Sequence, residues 1–518
     1  MKPYFNTSGS CSPGEHYMLP PERRLGRIME LIEQGRYFTL HAGRQTGKTT
    51  CARWLVQHYR QGGQYVVLWV DIQAAREQPD LGKAFRTILT IFEMILSWPN
   101  GELKPQGPEV VETLLKDPST ALSRYLNELC GQTSQPVVLL FDEADGLVGE
   151  AMISFLTQLR FGYLSRNDSP FPHSVGLVGM RQVRDYVLSA ENRQAVSWLG
   201  TTSPFNITAE SQTLTPFSCA EVEELLLQHT AATGQRFEAE AVALVCELSQ
   251  GHPWLVNALA DQTVRDVRDL ATPITRAHVE SAKDTLILER RTHIDSLMAR
   301  LHEPRIKRII EPMLLGERLA MDVLDDDLQY VNGLGLIRLH QGLWEIANPI
   351  YREVIPRTLT FVAQTTLAEK TARYLTPDGQ LDLQKLLMAF QKFWRKDGHL
   401  AAEGFAYREA GPHLMLMAFL QCIVNGGGRV EREYGLGRGA LDLLIEWKGT
   451  RHVIEVKLRR DTDTEQEAIE QVSRYLDHLG LQEGWLVLFD LRKEIGWDQK
   501  LTLRNAPLGG KRIRIVGC

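Results

Sequence analysis

The 518-residue sequence predicts a multidomain α/β protein: a parallel sheet around a phosphate-binding loop, a helical lid and middle region, and a second α/β unit at the C-terminus. Three stretches carry that expectation. First, His41-Ala42-Gly43-Arg44-Gln45-Thr46-Gly47-Lys48-Thr49-Thr50 follows the apolar run Tyr37-Phe38-Thr39-Leu40 and precedes a helix-like segment, residues 51–59. Second, Val137-Val138-Leu139-Leu140-Phe141 is a continuous apolar run that ends in Asp142-Glu143. Third, two strand-like segments near the C-terminus carry Asp442 and the pair Glu455-x-Lys457.

Composition bounds the rest. Charged residues make up 24% and hydrophobic ones 43%, an ordinary globular balance, and length predicts about three or four domains. A formal net charge of −6 means that any nucleic-acid contact is a local patch, not a property of the whole chain. No apolar run approaches the roughly 20 residues of a membrane span, and residues 1–6 lack the apolar core of a signal peptide. The seven cysteines, at 11, 51, 130, 219, 246, 422 and 518, are scattered, odd in number and form no CxxC pair. That pattern argues against a disulfide framework and a zinc site, and predicts a reducing cytoplasmic setting.

Residues 1–24 read as irregular, with His16 to Arg24 lying across the nucleotide site, and residues 25–35 as a helix feeding the first strand. Strand, glycine turn, Gly-Lys-Thr and helix is the context a phosphate-binding loop requires. Gly43, Thr46, Gly47 and Thr50 would wrap the loop around phosphate oxygens, with the helix N-terminus adding partial positive charge. Lys48 would reach the outer phosphates and Thr49 would ligate Mg²⁺. Ala42 stands where the strict pattern has glycine, a mild departure. An ordinary glycine turn would not explain Lys48 and Thr49 side by side at a helix start.

Residues 65–71 read as a buried strand, followed by helical patterns at about 82–97 and 109–130. The run ending in Asp142-Glu143 then reads as a central parallel strand delivering carboxylates to the ligand crevice. Asp142 would hold Mg²⁺ through water, and Glu143 would orient or activate the attacking water. A helix at 152–165 and a strand at 174–179 follow. Arg181, at the end of that strand, is a candidate γ-phosphate sensor; Arg160 and Arg166 are candidate trans-acting arginines. Beyond Asn206 the pattern turns helical, opening with the capping box Ser218-Cys219-Ala220-Glu221. Gly251-His252-Pro253 breaks and restarts a helix.

Together, the loop at Lys48, Asp142-Glu143, the Phe205-Asn206 stretch, the capped lid helix and Gly251-His252-Pro253 resemble the AAA-like ATPases close to the signal-transducing STAND group. The resemblance implies a P-loop ATPase core over 1–210, a helical lid over 211–285, ATP and Mg²⁺ as cofactors, and His252 or Pro253 near the nucleotide. Residues 286–357, helices followed by the short strands 334–339 and 343–346, resemble a winged helix, which binds DNA or serves as a packing module. Residues 358–400 read as a helical connector with one strong turn, Thr376-Pro377-Asp378-Gly379.

Residues 401–518 carry a second chemical centre. Residues 429–434, 440–447 and 452–458 read as three strands. Glu455 and Lys457 are two apart, so both leave one face of their strand, and a hairpin brings Asp442 beside them. Asp442, Glu455 and the Val456 carbonyl are hard oxygen donors suited to Mg²⁺. Such an ion polarises a phosphodiester and lowers the pKa of a bound water, with Lys457 positioning that water. Downstream, Gln471 and Tyr475 share a helix face. Asp442…Glu455-x-Lys457 with Gln471-x-x-x-Tyr475 resembles the PD-(D/E)xK nuclease superfamily, although Leu441 replaces the proline of its name. The resemblance implies catalytic roles for Asp442, Glu455, Lys457 and Gln471, with Glu409 as an added acid from the preceding helix. Gly435-Leu436-Gly437-Arg438-Gly439 would bring backbone N–H groups and Arg438 beside Asp442, to cradle a phosphate or simply to turn the chain.

The expected protein is therefore an ATPase whose nucleotide state controls a Mg²⁺-dependent nuclease. Nucleic acid, DNA first, is the expected partner; a homo-oligomer is compatible and a membrane is not. The alternative is a STAND-like regulator whose nuclease fold only binds DNA or a partner.

Overall fold

The computed structural model describes residues 2–99, 103–179, 208–288, 299–314, 319–320, 325–359, 371–398, 410–424, 428–436, 439–459, 463–490, 492 and 494–518. Two compact units divide it, residues 1–293 with 322–338 and 347–350, and residues 294–321 with 339–346 and 351–518.

The first unit is built on a five-stranded, all-parallel sheet of order β2-β3-β4-β1-β5. In chain order its elements are α1 (Glu22–Glu33), β1 (Tyr37–His41), α2 (Lys48–Gly62), β2 (Val66–Asp71), α3 (Leu81–Leu96), α4 (Pro108–Leu114), α5 (Pro118–Cys130), β3 (Val137–Asp142), α6 (Gly149–Ser165), β4 (Ser174–Gly179) and β5 (Thr208–Thr213). Every side chain of β3 is buried, as expected of a strand covered on both faces. Phe85, Phe92, Tyr125, Phe141 and Phe155 pack one side of the sheet beneath α3, α5 and α6. Leu25, Ile28, Phe38, Leu55, Val138 and Leu140 pack the other, beneath α1 and α2.

Two local expectations change here. The helical pattern at 109–130 is two helices, because Asp117-Pro118 interrupts it and Pro118 starts α5 at N1. The region beyond Asn206 does not turn helical at once: Thr-Ala-Glu-Ser-Gln-Thr forms β5 and pairs in parallel with β1. Its polar residues carry no hydrophobic period, so nothing but the neighbouring strand marks it.

Among the described residues four helices follow, Cys219–Thr233, Ala239–Ser249, Pro253–Asp266 and Arg276–Leu288. Ser218 and Glu221 form the reciprocal capping box. Cys219 and Cys246 form a disulfide with Cα atoms 5.6 Å apart, one bridge in a chain whose cysteine pattern argued against a disulfide framework. In the middle region β6 (Leu319–Ala320) pairs antiparallel with β8 (Leu343–Ile346), and β7 (Ile337–His340) precedes β8 across the turn Gln341-Gly342.

The second unit holds a six-stranded sheet of order β13-β14-β12-β11-β10-β9. Strands β9 (Gly428–Leu436), β10 (Gly439–Trp447) and β11 (Thr450–Leu458) form an antiparallel meander. The helix Asp463–Leu479 then crosses over to β12 (Glu483–Phe489), which lies parallel to β11. β13 (Leu503–Leu508) and β14 (Lys511–Gly517) complete the sheet. Val472 and Leu476 of the crossover helix pack on Leu444, Val453 and Leu486. The Phe390 ring lies 5.4 Å from Phe419 and 5.9 Å from Phe489, so the helices Leu383–Phe393 and Ala410–Val424 share an aromatic cluster with β12. Gln391 Nε2 donates to the Thr502 and Gly517 carbonyls at 2.9 and 2.7 Å. Residues 371–398, read from sequence as part of a connector, therefore pack into this unit. Among the described residues no helix is long and apolar enough to cross a membrane.

Candidate functional site

The loop after β1 turns on two left-handed residues, Gln45 and Gly47, the latter at φ 92° as N-cap of α2. A side chain at position 47 would be strained in that conformation. Lys48 follows at N1, so the helix N-terminus and the loop N–H groups open on the same space. Thr46 Oγ1 donates to the Gly43 carbonyl at 2.9 Å, closing the loop. Lys48 Nζ folds back to donate to the Ala42 and Gly43 carbonyls at 2.9 and 2.8 Å. Burial holds its pKa below the ordinary lysine value, opposed by Asp145, Glu143 and Asp142 in that order.

Thr49 Oγ1 donates to Asp142 Oδ2 at 3.2 Å. The two side chains that sequence assigns to Mg²⁺ thus meet, 93 residues apart, as paired hard oxygens of the kind a partly hydrated Mg²⁺ takes. Burial raises the Asp142 carboxyl against the pull of Lys48. Glu143 stands next, in left-handed conformation at φ 55°, and its N–H donates to Asp142 Oδ1 at 3.0 Å. Burial, then Asp145 and Asp142, raise its pKa. Thr50 Oγ1 accepts from the Cys11 N–H at 3.1 Å, which ties residue 11 to the loop helix.

His252 connects the helix Pro253–Asp266 to the loop. Its Nδ1 accepts from the Leu255 N–H at 3.4 Å, capping the helix Pro253–Asp266, so Nε2 carries the proton and donates to the Arg44 carbonyl at 3.1 Å. Burial pulls its pKa down to about 4, which keeps the ring neutral. Pro253 is buried at N1 of that helix, behind the histidine. Gly251 makes this turn possible. Its φ is 72°, and a Cβ there would lie 1.9 Å from the Phe217 carbonyl oxygen. Gly251→Ala is therefore expected to cost about 2–3 kcal/mol of stability, measured by thermal or urea unfolding, and to detach His252 from the loop.

Several residues around the loop escape motif reasoning. Arg24 Nη1 donates to the Thr46 carbonyl at 3.0 Å and its Nη2 to the Thr215 carbonyl at 2.6 Å, with the guanidinium 5.1 Å from the Phe217 ring. Trp69 Nε1 donates to Asp142 Oδ2 at 3.2 Å. Asp145 is the acid that bears most on Lys48. The signal for Asp145 is present in Asp142-Glu143-Ala144-Asp145; Arg24 ends the stretch expected across the nucleotide site but its partners were not readable, and Trp69 carries no signal, because those partners are remote in sequence. Arg181 and the Phe205-Asn206 stretch lie outside the described residues. Arg166 Nη1 donates to the Gly35 carbonyl at 2.8 Å and stacks over Tyr163 at 4.0 Å, which gives it an internal structural role. Arg160 lies on α6, half-buried.

The second unit assembles its own cluster. The β10–β11 register runs from Trp447↔Thr450 to Leu443↔Ile454 around the two-residue turn Lys448-Gly449. One residue further, Asp442 turns its carboxylate onto β11, where Oδ2 accepts from the Val456 N–H at 2.9 Å. Glu455 is fully buried, with Lys457 Nζ 2.7 Å from its Oε1. Its carboxylate also takes a backbone hydrogen bond from Asp442, which lowers its pKa. Burial and the Asp442 charge push the Glu455 carboxyl up to about 8, against the pull of Lys457. Burial works against the Lys457 charge, but Glu455 and Asp442 outweigh it and raise its pKa.

On the crossover helix, Gln471 Nε2 donates to the Tyr475 hydroxyl at 2.6 Å. Burial raises the Tyr475 pKa, the Gln471 bond lowers it, and the charges of Glu455, Asp442 and Lys457 all act on it. The helix face predicted from sequence thus looks onto the carboxylates. A buried carboxylate beside a second carboxylate is a donor set that fits a divalent cation. Among the described residues no three His, Cys, Asp or Glu side chains gather as a metal site, so any further oxygen would come from the Val456 carbonyl, water or substrate. Glu409, Gly437 and Arg438 lie outside the described residues.

Residues 15–355 match a family described as an AAA-like domain, and residues 388–493 match a domain of unknown function (DUF8371). Among solved structures, the Walker-type ATPase PABY2304 of Pyrococcus abyssi aligns at 15% identity over 68% of this chain and 99% of its own, with TM-score 0.47. The ORC2 protein of Aeropyrum pernix, in ADPNP and ADP complexes, aligns at 16% identity over 67% and 93%, with TM-score 0.38. The RuvB Holliday junction branch migration motor of Thermotoga maritima aligns at 14% identity over 64% and 93%, with TM-score 0.32. None of the curated proteins matches.

Proposed function

This chain belongs to the AAA-like domain family through residues 15–355, and from that premise we propose that its P-loop ATPase unit hydrolyses ATP with Mg²⁺ to control a metal-dependent phosphodiesterase in the C-terminal unit. In the first unit Lys48 and the loop N–H groups bind phosphates, Thr49 and Asp142 hold the ion, and Glu143 orients the attacking water. His252 ties the lid to the loop, so nucleotide occupancy is felt by the lid. When bound, Mg²⁺ supplies charge neutralisation at the phosphates.

The observation that carries the second half is the convergence of Asp442, Glu455, Lys457 and the Gln471–Tyr475 pair on one patch of the six-stranded sheet. A divalent ion held by Asp442, Glu455 and the Val456 carbonyl would supply Lewis-acid chemistry there. Lys457 would hold the nucleophilic water and offset charge developing on the phosphate. Gln471 would fix the Tyr475 hydroxyl at the edge of the same patch. Nucleic acid, DNA first, is the substrate class this chemistry fits, with the winged-helix-like middle region as a packing or DNA-contacting module. Association of several copies is compatible with an ATPase of this build.

The test is cleavage of a panel of single- and double-stranded DNA and RNA with Mg²⁺ or Mn²⁺, with and without ATP. Wild type is expected to cut, Lys457→Ala to lose at least about 100-fold of the activity, and Lys48→Ala to cut without responding to ATP. Absence of cutting under every condition would replace this reading with a regulator whose C-terminal fold only binds DNA or a partner.

A further inference from the structure

A cavity of about 350 Å³ opens between α2, β2 and the end of α3, away from the phosphate-binding loop. Its size falls within the range of small-ligand pockets. Leu96 and Leu103 contribute apolar floor, and Trp69 and Trp98 contribute indole faces. Among the described residues, the charged ones lining it are Arg53 and Arg60 and none is acidic, in a chain of net charge −6. Trp98 is 58% exposed.

We propose that this cavity is a second ligand site, taking a planar base with its phosphate: a free nucleotide, or a nucleotide within a single strand. The base stacks on Trp98 over the leucine floor, and the phosphate pairs with the exposed guanidiniums, which bind phosphate oxygens in a fork and tolerate every base. An added peptide strand is disfavoured. β2 is the sheet edge, but Arg60 Nη2 already donates to the Val67 carbonyl at 3.2 Å and caps part of that edge. The site also has a direct line to the ATPase centre. The Arg53 guanidinium lies 5.0 Å over the Trp69 ring, and the same indole donates to Asp142 Oδ2. An occupant that draws Arg53 off Trp69 changes the support of the carboxylate assigned to Mg²⁺.

The experiment uses the full chain with its phosphate loop saturated by ADP and Mg²⁺. Radiolabelled AMP is measured by equilibrium dialysis, and a fluorescein-labelled ten-nucleotide thymidine strand by anisotropy. At least one probe is expected to bind, with Trp98→Ala and Arg60→Glu each weakening it about ten-fold and Trp98→Phe restoring it to within about three-fold. Both substituted residues are exposed and lie outside the phosphate-binding loop, Trp98 beyond α3 and Arg60 in the last turn of α2, so ADP affinity and melting temperature serve as controls for folding. Binding of AMP alone identifies a free nucleotide as the ligand; binding of the strand alone identifies single-stranded nucleic acid. Failure of both probes at millimolar concentration, or binding unchanged in Trp98→Ala, overturns the proposal. Loss in Trp98→Ala with none in Arg60→Glu overturns the anionic half of it. None of these readouts depends on ATP turnover or on cleavage.

Discussion

Glu143→Gln is expected to slow ATP turnover by about 10²–10³-fold, the usual contribution of a positioned general base, while nucleotide affinity stays within about three-fold. The reasoning starts from the backbone. Glu143 follows the last residue of β3 in left-handed conformation, where the chain leaves the alternation of the strand, with its N–H bonded to Asp142 Oδ1. Burial, Asp145 and Asp142 raise its proton affinity, as suits a group that accepts a proton from water. Glutamine keeps the volume and loses the basic oxygen. The raised pKa moves the acid limb of the wild-type turnover profile upward from that of an unperturbed glutamate, and activity falls as pH drops through it. That limb is expected to disappear from the residual activity of Glu143→Gln. Lys48→Ala makes the contrast, since it strips the phosphate-facing ammonium and is expected to lose binding and turnover together. Phosphate release and titration with fluorescent ADP separate the two. Equal loss of affinity in both variants would show that Glu143 only supports the loop.

Motifs were legible where chemistry forces residues to be neighbours in sequence. Lys48 and Thr49 must be adjacent at a helix start, and Asp142-Glu143 must end an apolar strand, so both sites are readable without coordinates. Glu455 and Lys457 must be two apart on a strand, and Gln471 and Tyr475 four apart on a helix, for the same reason. What stayed hidden depends on residues far apart in the chain. Trp69 meets Asp142 across 73 positions and Arg24 meets Thr215 across 191, and neither tryptophan nor arginine announces such a partner. β5 was invisible because its stability comes from pairing with β1, not from a hydrophobic alternation of its own. Cys219 and Cys246 form no short-range motif; the pairing of their two helices brings them together.

At the C-terminal cluster, Glu455→Gln is expected to abolish cleavage and yet stabilise the metal-free chain by about 1–2 kcal/mol near pH 8. The sign follows from linkage. Burial and Asp442 raise the Glu455 carboxyl from an ordinary 4.5 to about 8, so between those values the folded chain binds more protons than the unfolded one. Wild-type stability therefore declines as pH rises through that window, and the glutamine variant, which cannot ionise, shows no such decline. The gain is smaller than the full linkage value because Lys457 loses the carboxylate 2.7 Å from its Nζ in the same substitution. Mg²⁺ reverses the order. An ion that binds only the folded chain raises wild-type melting temperature by mass action, and the variant, lacking a charged ligand, does not respond. Thermal unfolding at pH 5 and pH 8, with and without Mg²⁺, reads all four states. A variant that is destabilised at both pH values, with no Mg²⁺ response in either protein, would mean that Glu455 and Lys457 form a buried ion pair and nothing more. The opposite pattern would mean that the fold tolerates an unfavourable buried carboxylate because a cation completes it.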